Sequence, residues 1–469
     1  MVRLVSRCAL ALGAGAFVPS ALLAQATAIA EQSACAQARA GAGVASPCAD
    51  GSAIVYNPAA IGAAGNQLSV SGIGTAPGGS FTRPSTGVTD DLRGAANGIP
   101  TVYLTRRLTD RATFGVGVSL PFSSSVEWAD NAAGRFVAFQ SGFRRTDLTP
   151  TIAYQLAKGI TLGVGANVGF FSTRLRERLD LARVPALVTP GGPITFGQAG
   201  VAANTDFADQ DIGGNGVGIG GTVGLLLEPV KWASLGARYQ SSQSVDITGT
   251  ADFTAVRTGL VVPANIPSPT NPAQTAIPRG ASVDAILGPN FIGTGAYTDG
   301  AVAYRARTPD QVTVGLALVP TKSVRVLADA QYTWWSKVDS VRYDFANALT
   351  PDFTVQQRFA NTWAWRGAVE CTAVKDIAFR LGYAWLDAAV PAQNVTTELP
   401  EASRQLFSAG VGYQVSKGVK LDVGYTYLRQ PDRIGRAGDG NLPVPTTAQN
   451  DGLFRYQTHL FAATLAFAY

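Results

Sequence analysis

A two-residue alternation of apolar and polar side chains recurs through this chain and constrains its fold more than any other feature. In "VKLDVGYTY", Val419, Leu421, Val423, Tyr425 and Tyr427 share one face, and Lys420, Asp422, Gly424 and Thr426 share the other. "SVRVLADAQYTWW", starting at Ser323, and "DIAFRLGYAW", starting at Asp376, alternate in the same way. Period two marks a strand with one apolar and one polar face. Past the N-terminal segment there is no run of about eighteen apolar residues, which excludes a transmembrane helix there. Composition agrees, since 52 glycines, 15% charged residues and one methionine, the initiator, leave few strong helix formers. The expected fold class is all-β.

A soluble sandwich and a membrane barrel both produce such strands, the apolar face meeting a core in one and lipid in the other. Connection lengths separate them. Short turns such as "LAKGI" (156–160) and "VSKGV" (415–419) alternate with long connections near 77–97, 121–145, 174–212, 244–303, 337–362, 387–404 and 429–452. Six short turns and seven long loops join fourteen strands. An even strand number with short turns on one side is the asymmetry of a transmembrane β-barrel. Trp334, Trp335, Trp363, Trp385 and Tyr427 fall at long-loop ends, and Tyr103, Tyr154, Tyr413 and Trp232 at short-turn ends. They are expected to form two interfacial belts. The chain closes on "HLFAATLAFAY", with Phe461, Leu465, Phe467 and Tyr469 on one face, like the last strand by which such barrels are recognised for insertion.

The first 26 residues read as a secretory signal, with Arg3 and Arg7 before the apolar stretch Ala9–Val18 and a small-residue cleavage site between 24 and 30. The alternative, a membrane anchor, suffers because the apolar run is short and broken by Gly13, Gly15 and Pro19. Export to an oxidising compartment makes a Cys35–Cys48 disulfide the expected state and leaves Cys371 as an apolar packing residue. With His459 the only histidine, no metal-ligand set can be assembled, and no cofactor is expected. The formal charge is +5, but its basic residues are scattered and no stacking motif interleaves them, so nucleic acid is not an expected partner. "GGNGVGIGG" (213–221) fits a nucleotide loop poorly and reads as strand with close backbone approaches. No Ser, His and acid set supports hydrolysis, and the chain is not expected to be an enzyme.

"ARAGAGVASPCADGSAIVYNPAAI" (38–61) resembles the N-terminal hatch of the FadL family of outer-membrane transporters for long-chain fatty acids and other hydrophobic compounds. "FGVGVSLPFSSSVEW" (114–128) is similar to the family's third strand, "DAQYTWWSKVDSV" (329–341) to its ninth, and "VPAQN" (390–394) leads into segments like its eleventh to thirteenth. The resemblance implies a 14-stranded antiparallel transmembrane β-barrel, residues 67–469, with a hatch at 27–66 inside the lumen. It places the protein, as a monomer among outer-membrane lipid, in the outer membrane of a Gram-negative bacterium. It also implies capture of a fatty acid or hydrocarbon between the third and fourth outer loops, binding in the lumen, and lateral release into the bilayer. A hydrocarbon channel of the same family and a general diffusion porin are the alternatives.

The resemblance extends to single residues. Asn57, Pro58 and Ala59 are expected to turn the hatch from lumen to wall. Pro121, with Ser123 and Ser124, is expected at a kink where the third strand ends and substrate leaves, because proline cannot complete a ladder. Arg176, Arg178 and Arg358 are the candidate partners of a fatty carboxylate. Parity sends Arg238, Arg325, Asp329, Arg366, Glu370, Arg380, Lys420 and Asp422 into the lumen, where mutual pairing and pairing with the plug is the favoured role.

Overall fold

A computed structural model describes residues 31–94, 97–189, 192–268, 271, 273–437 and 448–469. The expected signal, 1–26, and the first residues of the expected hatch lie outside them. The barrel strands are β1 (Gln67–Thr82), β2 (Asn97–Arg107), β3 (Ala112–Glu127), β4 (Gln140–Ala157) and β5 (Ile160–Asp180). Next come β6 (Asp206–Val230), β7 in two segments (Ala233–Gln240 and Gln243–Ala255) and β8, also in two (Gly300–Thr308 and Gln311–Thr321). The remainder are β9 (Val324–Thr333), β10 (Thr362–Cys371), β11 (Ile377–Leu386), β12 (Arg404–Ser416), β13 (Val419–Arg429) and β14 (Gly452–Ala468). Each pairs antiparallel with the next, and β14 pairs with β1 from Gln67↔Ala468 to Thr82↔Leu453, closing a fourteen-stranded barrel.

Closure leaves neither end strand with a free edge, which a bilayer interior requires because it offers no water to unpaired backbone groups. The alternation reads directly onto the wall: Val423 and Tyr425 are exposed outside, while Asp422, Gly424 and Thr426 are buried inside. Two aromatics depart from the expected belts. Tyr103 shares lumen parity with Thr101 and Thr105 and is fully buried, and Trp335 lies in a one-turn 3-10 segment just past β9 and packs inward. Several strands outrun the expected loop positions. β3 continues past Pro121 to Glu127 and β5 to Asp180, since paired neighbours carry the ladder above the membrane.

The loops after β5 and β7 close on each other through an apolar core that includes Leu181, Phe196, Val262 and Val283. Inside the barrel sits a plug of short elements: α1 (Ala34–Ala38), α2 (Ala53–Tyr56) and a 3-10 segment (Pro58–Ala64). Helices this short do not persist alone and depend on the surrounding wall. Ser33 caps α1 by accepting from the Ala36 N–H, and a Cys35–Cys48 disulfide closes the plug loop. Cys371 is a half-buried free thiol.

Candidate functional site

The plug seats on the wall through Asn57-Pro58-Ala59. The Asn57 amide donates to the carbonyls of Val44 (2.7 Å) and Leu225 (3.1 Å), and its oxygen accepts from the Ala59 N–H (3.0 Å). So close an approach needs bare backbone opposite. A Cβ on Gly163 would lie 2.2 Å from the Ala59 nitrogen, and one on Gly224 would lie 2.1 Å from the Asn57 oxygen.

Most of the lumen charges pair as parity suggested. Glu370 accepts from Arg39 of the plug (2.6 Å), Arg380 (2.6 Å) and Arg325 (2.8 Å). Arg380 also bonds Asp422 (2.7 Å), which Lys420 approaches at 3.1 Å. Asp329 accepts the Gly43 and Val44 N–H groups at 2.7 and 3.0 Å. Buried charges need such partners.

Arg238 and Arg366 are different. Arg238 of β7 stands opposite Thr313 of β8, which faces Gln331 of β9, and Arg366 of β10 stands opposite Asp329 of β9. The two arginines line a lumen cavity of about 70 Å³ together with Tyr56, Pro121, Trp335 and Arg404. Arg238 donates to Gln311 (3.1 Å) and to the Val55 carbonyl, and Arg366 donates to Gln331 (3.0 Å). The buried Nε of each has no hydrogen-bond acceptor among the described residues. Both cations thus keep a spare donor in a cavity that Asp329, whose Oδ1 also has no hydrogen-bond partner among the described residues, lines with them.

Trp335 also lines a second cavity, of about 140 Å³, walled largely by Phe143, Ile212, Tyr304, Tyr343 and Phe359. Its neighbours Gln357, Glu398 and Leu399 are shared with a third, open pocket of about 780 Å³ that includes Arg358, Arg183 and Arg436. Shared lining residues thus form a series from the loop surface, past an aromatic chamber, to the arginines in the lumen.

Of the three expected carboxylate partners, Arg358 lines the outer pocket, while the other two are held by carboxylates. Arg178 pairs with Asp209, and Arg176 lies 3.5 Å from Asp211 and over the Phe139 ring. Across β6, Arg176 registers with Asp211 and Arg178 with Asp209, cross-strand neighbours separated by more than thirty positions in the chain. Parity had sent Arg238 and Arg366 inward but could not say that neither would form an ion pair among the described residues, although Asp329 stands opposite Arg366.

The wall has a break. β2 pairs with β3 only from Val102↔Val118 to Arg107↔Thr113; beyond Val118, β4 is the only strand paired with β3 among the described residues, and the Arg93 N–H reaches the Glu127 carbonyl at 2.8 Å. Pro121 lies within β3, where the register to β4 shifts between Ser119 and Phe122, so it marks a bulge and not the strand's end. Ser123 and Ser124 resume the ladder opposite Arg144 and Phe143, and Ser124 lines the aromatic chamber.

Residues 15–468 match the family described as outer membrane protein transport protein (OMPP1/FadL/TodX). The chain belongs to this family. It is 25% identical over 348 residues, 70% of each chain, to the long-chain fatty acid transport protein of Escherichia coli K12. Among solved structures, a Pseudomonas aeruginosa FadL homologue superposes with a TM-score of 0.76 at 16% identity, covering 96% of this chain and 99% of that one. The Pseudomonas putida toluene transporter TodX superposes with 0.65 at 17% identity, covering 94% and 99%. These likenesses show the same fold, and the protein is an outer-membrane protein of the Gram-negative type.

Proposed function

We propose that this protein moves long-chain fatty acids, or amphiphiles with the same carboxylate and apolar tail, passively across the outer membrane. Substrate enters at the pocket bearing Arg358, passes the aromatic chamber, and rests with its headgroup at Arg238 and Arg366. It then leaves sideways where β2 and β3 part. The observation that carries this reading is the pair of lumen arginines with spare Nε donors at the end of an aromatic chamber. A neutral hydrocarbon would gain nothing from them. The route also suits the tail, because each methylene left in water costs about 0.8 kcal/mol, which disfavours an aqueous pore.

Mass spectrometry of molecules co-purifying with the detergent-solubilised protein tests the proposal, together with uptake of labelled oleate by cells expressing it. Bound free fatty acids and protein-dependent uptake are expected. Neutral aromatics alone would redirect the reading to a hydrocarbon channel, and large steady conductance in a planar bilayer would redirect it to a porin.

A further inference from the structure

The wall holds a second gap, on the polar side of the outer aromatic belt. Register places Tyr239 of β7, Val312 of β8, Tyr332 of β9 and Trp363 of β10 in one row, and the rings of Tyr332 and Trp363 lie 4.9 Å apart. Aromatic side chains at one level of a barrel mark the membrane interface. Just beyond this row β7 and β8 are both interrupted, at Ser241-Ser242 and at Pro309-Asp310. β8 pairs with β9 up to Gln311↔Thr333. On that side it next meets a neighbour at Tyr304↔Tyr343, in the extended segment Ser340–Phe345 of the loop after β9. Residues 305–309 have no ladder partner there among the described residues.

Both edges of the gap are braced. On the membrane side, the Asp310 carboxylate accepts from the Lys337 ammonium (2.6 Å), the Tyr239 hydroxyl (2.6 Å) and the Ser242 N–H (3.0 Å), and its carbonyl accepts from the Trp334 N–H (3.1 Å). On the loop side, the rings of Tyr304 and Tyr343 pack 4.6 Å apart. Outside the gap lies an open pocket of about 600 Å³. Tyr304, Arg307, Val338 and Val341 line both this pocket and the aromatic chamber, so the gap joins the chamber to the outer surface of the barrel.

Charge at the rim is uneven. Cross-strand register sets Arg305 against Asp246, with which it pairs at 2.7 Å, but sets Arg307 against Ser244. Arg342 is held by Asp344 (2.6 Å) and Asp352 (3.1 Å), and Lys337 by Asp310. Of the pocket's charges, exposed Arg307 and Asp339 alone stand outside an ion pair among the described residues. A free guanidinium at the mouth of an aromatic chamber suits an amphiphile whose carboxylate stays among the headgroups while its tail turns inward. Carrying such a molecule from the leaflet through water would expose its whole tail, a cost that an entrance in the wall avoids.

We propose that this gap is a side portal for fatty carboxylates dissolved in the outer leaflet: the carboxylate docks on Arg307, and the tail passes Tyr304, Val338 and Val341 into the aromatic chamber. The inference rests on the transport reading above and deepens it, adding an entrance from the membrane to the one at the Arg358 pocket. The portal lies between β8 and the loop after β9 and is distinct from the break between β2 and β3.

The test uses full-length protein in phospholipid nanodiscs containing stearate with a mid-chain diazirine. Light fixes the tail where it rests, and mass spectrometry locates the adducts. Adducts on Tyr304, Val338 or Val341 are expected. Arg307→Gln should lower them roughly fivefold, the upper end for an exposed ion pair, and should leave labelling by the methyl ester of the same probe unchanged. No adduct at these residues in protein that binds the probe elsewhere, equal labelling of wild type and Arg307→Gln, or an equal fall for the ester overturns the portal. Should the wild-type protein bind no carboxylate, the transport proposal falls, and thiol labelling then decides the portal. With the free thiol removed by Cys371→Ser, Ala306→Cys, on the chamber side of the gap, should react with a stearyl maleimide dissolved in the bilayer. Adding Val338→Trp or Val341→Trp, whichever keeps the gel-mobility shift of a folded barrel, should fill the gap and slow that reaction severalfold. No reaction, or a rate that the tryptophan leaves unchanged, overturns the portal.

Discussion

Replacing Arg366 by Gln isolates the headgroup contribution. The substitution keeps a planar amide of similar reach near Gln331, its present partner at 3.0 Å, and removes the charge and the unpartnered Nε. A hydrogen bond to a charged group contributes about 1.5–3 kcal/mol. At about 1.4 kcal/mol per decade, affinity for a fatty carboxylate should fall roughly tenfold to 150-fold. A fatty alcohol of the same length presents no charge and should lose little. Quenching of the cavity tryptophans by brominated acid and alcohol, titrated in detergent, measures both. Equal losses for acid and alcohol would mean that Arg366 serves packing alone. No loss for either would remove the lumen arginines from the site, and Arg238→Gln should behave as Arg366→Gln does.

Other perturbations test the plug and the loops. Glu370→Gln takes the carboxylate from Arg39, Arg325 and Arg380 at once and should cost about 3–5 kcal/mol, the usual effect of breaking a buried pair; the heating midpoint of the gel-mobility shift of the folded barrel measures it. Opening the Cys35–Cys48 link, whose partners are 13 residues apart, should lower stability by about 3 kcal/mol on the loop-entropy argument, with uptake retained. Burial pushes the Glu398 carboxyl, in the loop between β11 and β12, up to about 7. An acid raised above its unfolded value near 4.3 loses stability as pH rises between the two values, and the full penalty is present above about 7. Protease cleavage of residues 387–403 should therefore be faster near pH 8 than near pH 5. Glu398→Gln should abolish that difference, and its persistence in the variant would exclude Glu398 as the cause.

Strand parity and connection lengths are local properties, and they were legible before any coordinates. Alternation at Val419–Tyr427 told wall from lumen, loop spacing counted the strands, and the glycines opposite Asn57-Pro58-Ala59 read as sites of close approach only once the plug was placed. Pairing across strands is not local. Whether an inward arginine meets a carboxylate depends on register between segments far apart in the chain. Arg380 met Glu370 and Asp422, Arg176 and Arg178 met the acids of β6, and Arg238 and Arg366 met amide and carbonyl oxygens in place of a carboxylate. Gln32 carries no motif at all, yet the fold carries it to the point where β2 and β3 diverge, and there its amide completes the buried peptide of Leu120.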